Sequence, residues 1–123
     1  PEDDFYLLSV NPVYCTLRYR GNTVTNSKVI RFNNTLRKLV KKSGYKNVTY
    51  VDTYKNVFQK NGWVHKKSAY RYAIKYRKMN VRYMRESSSY QLHYTDSVDK
   101  KLFKYVNDFI KNDMNISKAI NQK

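Results

Sequence analysis

The stretch "FYLLSVNP", residues 5–12, decides how the chain is read. Its apolar run, residues 5–10, is too short for a helix and is ended by Asn11-Pro12. A short continuous apolar run bounded by a turn signal suits a strand buried on both faces, as in a parallel sheet. Parallel strands need a crossover connection, usually a helix. Residues 13–25 read as a loop turning near Arg20-Gly21-Asn22. Asn26 then caps a helix whose apolar positions, Val29, Phe32, Leu36, Leu39 and Val40, advance in steps of three and four. Lys41 and Lys42 suit its negative C-terminal end, and Gly44 stops it. "VTYV", residues 48–51, is a second strand that runs straight into Asp52-Thr53-Tyr54. Strand, helix and strand within about 50 residues make a βαβ unit, with a right-handed crossover expected.

Beyond this unit, "TYKNVFQKNG" reads as a short helical turn closed by Gly62. Residues 63–89 change character, carrying Lys66, Lys67, Arg71, Lys75, Arg77, Lys78, Arg82 and Arg85 against one acid, Glu86. Tyr70, Tyr72, Ile74 and Tyr76 alternate with polar residues, as do Met79, Val81 and Tyr83, which suits a β-hairpin turning near Arg77-Lys78. A helix with Ala69, Tyr72, Ala73 and Tyr76 on one face fits the same residues. Ser87–Ser89 reads as loop. Thr95 or Asp96 caps a last helix, with Asp99 placed for the capping-box return and Leu102, Tyr105, Val106, Phe109 and Ile110 as its apolar stripe. Met114, Ile116 and Ile120 continue at loose helical spacing.

The 123 residues suit one small domain, residues 1–123, with 63–89 as a basic, tyrosine-rich insertion. Lys and Arg number 25 against 9 Asp and Glu, a formal net charge of +16, which attracts polyanions such as nucleic acid, anionic lipid or acidic cell-wall polymers. The 13 tyrosines rise together with Lys, Asn and Ile, a bias that AT-rich coding also produces. Cys15 is the only cysteine, which excludes an intramolecular disulfide and cysteine-rich zinc motifs. No metal or cofactor is expected. Nor does any apolar run approach the ~18 residues of a membrane span. The chain starts with Pro1 and the acids Glu2, Asp3 and Asp4, which reads as a cut within a longer protein.

Four stretches, "SVNPV" (9–13), "GNTVTNSKVIRFNNTLRKL" (21–39), "VTYVDTYKNV" (48–57) and "QLHYTDSVDKKLFKYV" (91–106), resemble in order the C-terminal half of SGNH (GDSL-type) hydrolases of the Gram-positive subgroup. In that family the first is a strand ending in a VNP turn, and the last holds the block in which Asp-x-x-His precedes the final helix. The resemblance implies a partial three-layer α/β/α sandwich with parallel strands, its N-terminal strands absent from this chain. It further implies ester hydrolysis or acyl transfer on acylated carbohydrate at the cell surface or outside the cell. By resemblance His93 stands where the catalytic base stands, taking the serine proton and returning it to the leaving alcohol. The family's Asp would fall at Tyr90, and a phenol brings no negative charge at neutral pH. Glu86 is the candidate substitute acid. The sequence contains neither a Gly-Asp-Ser block nor a Gly-x-Asn-Asp block, so nucleophile and oxyanion donors must come from elsewhere.

Each candidate has a plainer reading. His93 can be a half-exposed histidine at the start of the last helix. Asp52 is either a second acid at a strand's carboxyl edge or the cap of the short helix from Thr53. His65, beside Lys66 and Lys67, reads as surface. Ser9 and Ser87–Ser89 lack the Gly-flanked elbow of a nucleophile. The basic residues of 63–89, interleaved with tyrosines, match the chemistry of a single-stranded nucleic-acid surface without any nucleic-acid motif. A non-catalytic SGNH-like module binding a polyanion or a protein is thus the rival to the esterase.

Two strands leave an open edge where further strands belong. The chain is therefore expected to fold only with a complement, either the N-terminal half of the same domain or a second copy. Analytical ultracentrifugation with circular dichroism checks this, and a folded monomer at high dilution contradicts it.

Overall fold

A computed structural model describes residues 3–13, 16–19, 22–64 and 94–121. It is a mixed α/β arrangement of four short strands and three helices among those residues. Strand β1 (Phe5–Leu8) pairs in parallel with β4 (Val48–Val51), in the register Phe5↔Val48 to Leu8↔Val51. Between them in sequence lie an antiparallel pair, β2 (Thr16–Tyr19) with β3 (Asn22–Thr25), and helix α1 (Asn26–Ser43). Helix α2 (Tyr54–Gln59) follows β4 and is wound as a π-helix. Helix α3 (Asp96–Asn121) is the last element.

The βαβ unit expected from the sequence is present, with β4 bounded as read. Gly44 ends α1 at φ 73°, a left-handed conformation that costs a residue without Cβ nothing. Gly62 does the same beyond α2 at φ 72°. The segment 13–25 is not simply loop, because β2 and β3 form a ladder there. The overlooked signal is the run of β-branched residues and alternating polarity on either side of Gly21-Asn22. Position 25, not 26, caps α1: Thr25 Oγ1 accepts from the Lys28 amide at 3.2 Å, because the Asn26 amide is committed elsewhere. Helix α3 begins at Asp96, and Thr95 Oγ1 meets Ser97 Oγ at 3.2 Å; no bond from the Asp99 carboxylate completes a capping box among the described residues.

Tyr6 and Tyr50 point to opposite faces of the two-stranded sheet, since register partners share a face and successive residues alternate. Tyr6 reaches α3, donating to Asp113 Oδ2 at 2.8 Å and meeting the Phe109 ring edge-on at 6.4 Å. That hydrogen bond, ahead of burial, pushes the Tyr6 phenol up to about 12. The bond is therefore intact below the ordinary phenol range and lost only as the pH climbs through that raised value. Tyr50 faces the other way, and burial, with the Asp52 charge next, raises its phenol above the usual value.

Burial departs from the expectation for β1. Phe5 is 55% exposed, Leu7 40% and Leu8 41%, so the strand is not covered on both faces. The reason is geometric: α1 packs on β4 and β3, while α3 reaches β1 through Tyr6, and among the described residues the sheet stops at two strands. On α1 the buried face is Asn26, Val29 and Asn33, leaving Phe32 and Leu39 exposed. The continuous core lies instead around α2, where Tyr54, Val57 and Phe58 join Val29, Trp63, Val64 and Val98. Phe58 is fully buried, with the Trp63 ring edge-on at 5.8 Å and the Tyr94 ring at 5.0 Å.

Phe58→Ala removes the centre of that core and costs about 3–5 kcal/mol. Urea denaturation followed by tryptophan fluorescence reads this as a large drop in midpoint at an unchanged slope.

Candidate functional site

The loop that leaves β1, residues 9–13, is where hydrogen bonds from α1, from the residues after β4 and from Tyr94 meet. Asn33, buried on α1, accepts from the Val10 amide through Oδ1 at 2.8 Å and donates through Nδ2 to the Val10 carbonyl at 2.9 Å. Asn26, fully buried, repeats the pattern on Val13, at 2.7 and 2.8 Å. Seven helical residues rise about 10.5 Å and return to nearly the same face. Three extended residues span about 10 Å. The two amides are therefore spaced to grip an extended loop running antiparallel to the helix, doing for its backbone what a neighbouring strand would do.

Thr53 and Tyr54, just after β4, hold the start of the same loop. Thr53 Oγ1 lies 2.7 Å from Asn11 Oδ1, a pure acceptor, so the threonine hydroxyl donates there. Ser9 Oγ lies 2.9 Å from Thr53 Oγ1 and accepts from the Tyr54 amide at 3.0 Å. Ser9 is buried, and its hydroxyl is engaged on both sides. It is a fastener between β1 and β4, without the exposed elbow of a nucleophile. Asp52 is the cap foreseen in its plainer reading, its Oδ1 accepting from the Lys55 amide at 2.9 Å.

Tyr94 closes the arrangement from the far end of the chain. Its hydroxyl donates to the Pro12 carbonyl at 2.5 Å, and its ring packs on Phe58. Burial, with the Asp99 charge next, pushes the Tyr94 phenol well above its usual value, so the proton stays available for that bond. The stretches 21–39, 48–57 and 91–106 thus each send a side chain or backbone group to the one short loop 9–13 at the carboxyl edge of the parallel pair. The edge where strands end is also where α/β proteins bind ligands.

His93, Tyr90 and Glu86 lie outside the described residues, as do His65, Ser87–Ser89 and the basic set Lys66, Lys67, Arg71, Lys75, Arg77, Lys78, Arg82 and Arg85. Two grooves lined by polar and charged side chains lie within the described residues. One, of about 250 Å³, lies between α1 and α2 and is lined by Asn34, Arg37, Asp52, Lys55 and Gln59 among others. The other, of about 430 Å³, lies between α2 and α3 and is bordered by Asn56, Lys60, Asn61, Lys101, Lys104, Tyr105 and Asp108. Sequence reasoning read Asn26 only as a helix cap, and it missed Asn33 and Tyr94 as well as this second set. The available signal for the clamp was a pair of amides seven apart on the otherwise apolar face of a helix. Among the described residues, no three of His, Cys, Asp and Glu gather as a metal would require. Among the described residues, no helix is long and apolar enough to cross a membrane.

No protein-family model matches this chain, and neither the curated proteins nor the solved structures give a significant match to it.

Asn26→Ala strands a half-buried amide and carbonyl at Val13 and is expected to cost about 2–3 kcal/mol. Asn33→Ala should cost less, since Val10 is open to water. Because both amides hold one loop, the double variant loses less than the sum of the two. Urea midpoints of the three variants against the parent measure the coupling.

Proposed function

We propose that this chain is the C-terminal portion of an SGNH-type serine esterase or acyltransferase acting on acylated carbohydrate at or beyond the cell surface. The observation that carries the reading is the tether from Tyr94 to the Pro12 carbonyl. It holds the residue that follows His93 at the carboxyl edge of β1 and β4, the edge at which a base would have to work. The resemblance supplies the remainder: a three-layer sandwich completed by an N-terminal half that brings the serine and the oxyanion donors. Among the described residues β1 pairs along one edge only, with β4, and the open edge supports a further strand on that side.

In this reading His93 removes the serine proton as the oxygen attacks the acyl carbon, and passes it to the departing alcohol. Tyr90 can accept a hydrogen bond from the imidazole but cannot balance the imidazolium charge. Loss of the acid in a serine-histidine site costs about 10⁴ in turnover. Activity near that of a complete triad would require Glu86 to take its place. The chain alone lacks a nucleophile and should be inert.

A second reading is favoured by Tyr90 at the acid's position and by the lysines between α2 and α3: an SGNH-like module without catalysis, kept for binding a polyanion.

Hydrolysis of p-nitrophenyl acetate separates the two. The chain combined with an N-terminal half bearing Gly-Asp-Ser is expected to turn over, and the same mixture with His93→Ala to fall to background. Turnover indifferent to His93→Ala sinks the esterase reading, and no turnover in either mixture leaves the binding module.

A further inference from the structure

The groove between α2 and α3 carries three ammonium groups and one carboxylate. Lys101 and Lys104 stand three apart on α3 and so share a face, while Lys60 closes the opposite wall just after α2. Asp108 is taken by Lys104, with Nζ to Oδ2 at 2.6 Å. No carboxylate among the described residues pairs with Lys60 or Lys101, so the groove keeps a positive excess. Lys101 is also held in place, its Nζ 5.6 Å from the centroid of the Trp63 ring. A stem already laid on an apolar ring loses less rotamer freedom when a ligand arrives. Tyr105 adds a neutral donor. Its oxygen accepts from Asn56 Nδ2 at 3.0 Å, which leaves the phenol proton for the groove.

These groups suit phosphate oxygens, which accept hydrogen bonds and carry one charge per diester unit. They do not suit nucleobases. Trp63 is buried and Tyr105 is half-buried against Phe109, so the groove offers no open ring on which a base could stack. The overall charge of +16 draws a polyanion to the surface from a distance.

We propose that this groove binds the phosphodiester backbone of a polyanionic chain through Lys60, Lys101 and Tyr105, reading phosphates and not bases. The assignment rests on the polyanion-binding reading and names its site, at residues distinct from the basic segment 63–89.

Fluorescence anisotropy of the full chain tests it with two labelled probes, an oligothymidylate of about 15 nucleotides and an abasic deoxyribose-phosphate chain of the same length. Both should bind alike, with the logarithm of affinity falling linearly with the logarithm of salt concentration. The variant Lys60→Gln/Lys101→Gln loses two phosphate contacts, which lowers the salt slope by about 1.4 and the affinity in 0.1 M salt by roughly 25-fold. Lys41→Gln/Lys42→Gln removes the same charge from the end of α1 and should stay within about twofold of the parent. Lys60→Glu alone, which leaves the Trp63 contact untouched, must also weaken binding, with far-UV circular dichroism unchanged throughout. Equal losses in the two double variants, or binding untouched by Lys60→Gln/Lys101→Gln, overturn the groove while the polyanion reading stands. Failure of the parent to bind either probe at low salt removes that reading itself. Binding of oligothymidylate without the abasic chain overturns recognition through phosphate.

Discussion

Two side-chain amides hold the structure in register. Asn26 and Asn33 are buried polar groups on a helix that otherwise packs through apolar residues, and a buried amide left unbonded would be costly. Each is satisfied at both ends by one loop residue, Val13 and Val10 respectively. The geometry tolerates no slip: a shift of one residue in the loop would turn each amide toward a side chain and leave all four groups unpaired. That requirement places α1 alongside the loop after β1, and with it Val29 against α2. It also makes the loop a rigid platform, to which Thr53, Tyr54 and Tyr94 attach from later in the chain.

The platform and the core are joined through Tyr94. Its ring belongs to the cluster around Phe58, and its hydroxyl belongs to the loop. One side chain therefore links apolar burial at Phe58 to hydrogen bonding at Pro12. The sheet is the weaker partner in this arrangement. Two parallel strands of four residues supply few ladder bonds, and parallel sheets ordinarily have both faces covered. Here β1 keeps Phe5, Leu7 and Leu8 in water, and α1 keeps Phe32 and Leu39 there too. Val10, Val24, Val29 and Phe32 continue that surface as an apolar groove of about 260 Å³. An edge of this kind pairs with another strand or aggregates.

Charge is distributed with a different logic. Lys41 and Lys42 complement the carbonyl end of α1, whereas Lys60, Lys101 and Lys104 face each other across a groove with one acid between them. Like charges brought together oppose folding, and a structure that holds them so is suited to an anion that relieves the repulsion. The platform at the strand ends and the cationic groove are thus separate resources of the same small chain.

Periodicity and local chemistry made much of this legible in advance. The parallel pair follows from "FYLLSV" and "VTYV", because short apolar runs separated by one helix have few other arrangements. The end of α1 follows from Gly44 and the closure beyond α2 from Gly62, because only a residue without Cβ turns left-handed cheaply. The identity of a cap such as Asp52 also lies within reach of its own neighbours. Long-range partners do not. Nothing near Asn26 or Asn33 announces that Val13 and Val10 will meet them, and Tyr94 finds Pro12 from 82 residues away. Nor could the run 5–10 reveal that its strand would be left uncovered, since burial depends on what else packs there and not on the strand's own composition. Local sequence determined which elements form and where they stop, through backbone preference and apolar spacing. Tertiary structure alone decided which polar groups join and which lysines share a groove, because those depend on distances that only the folded chain sets.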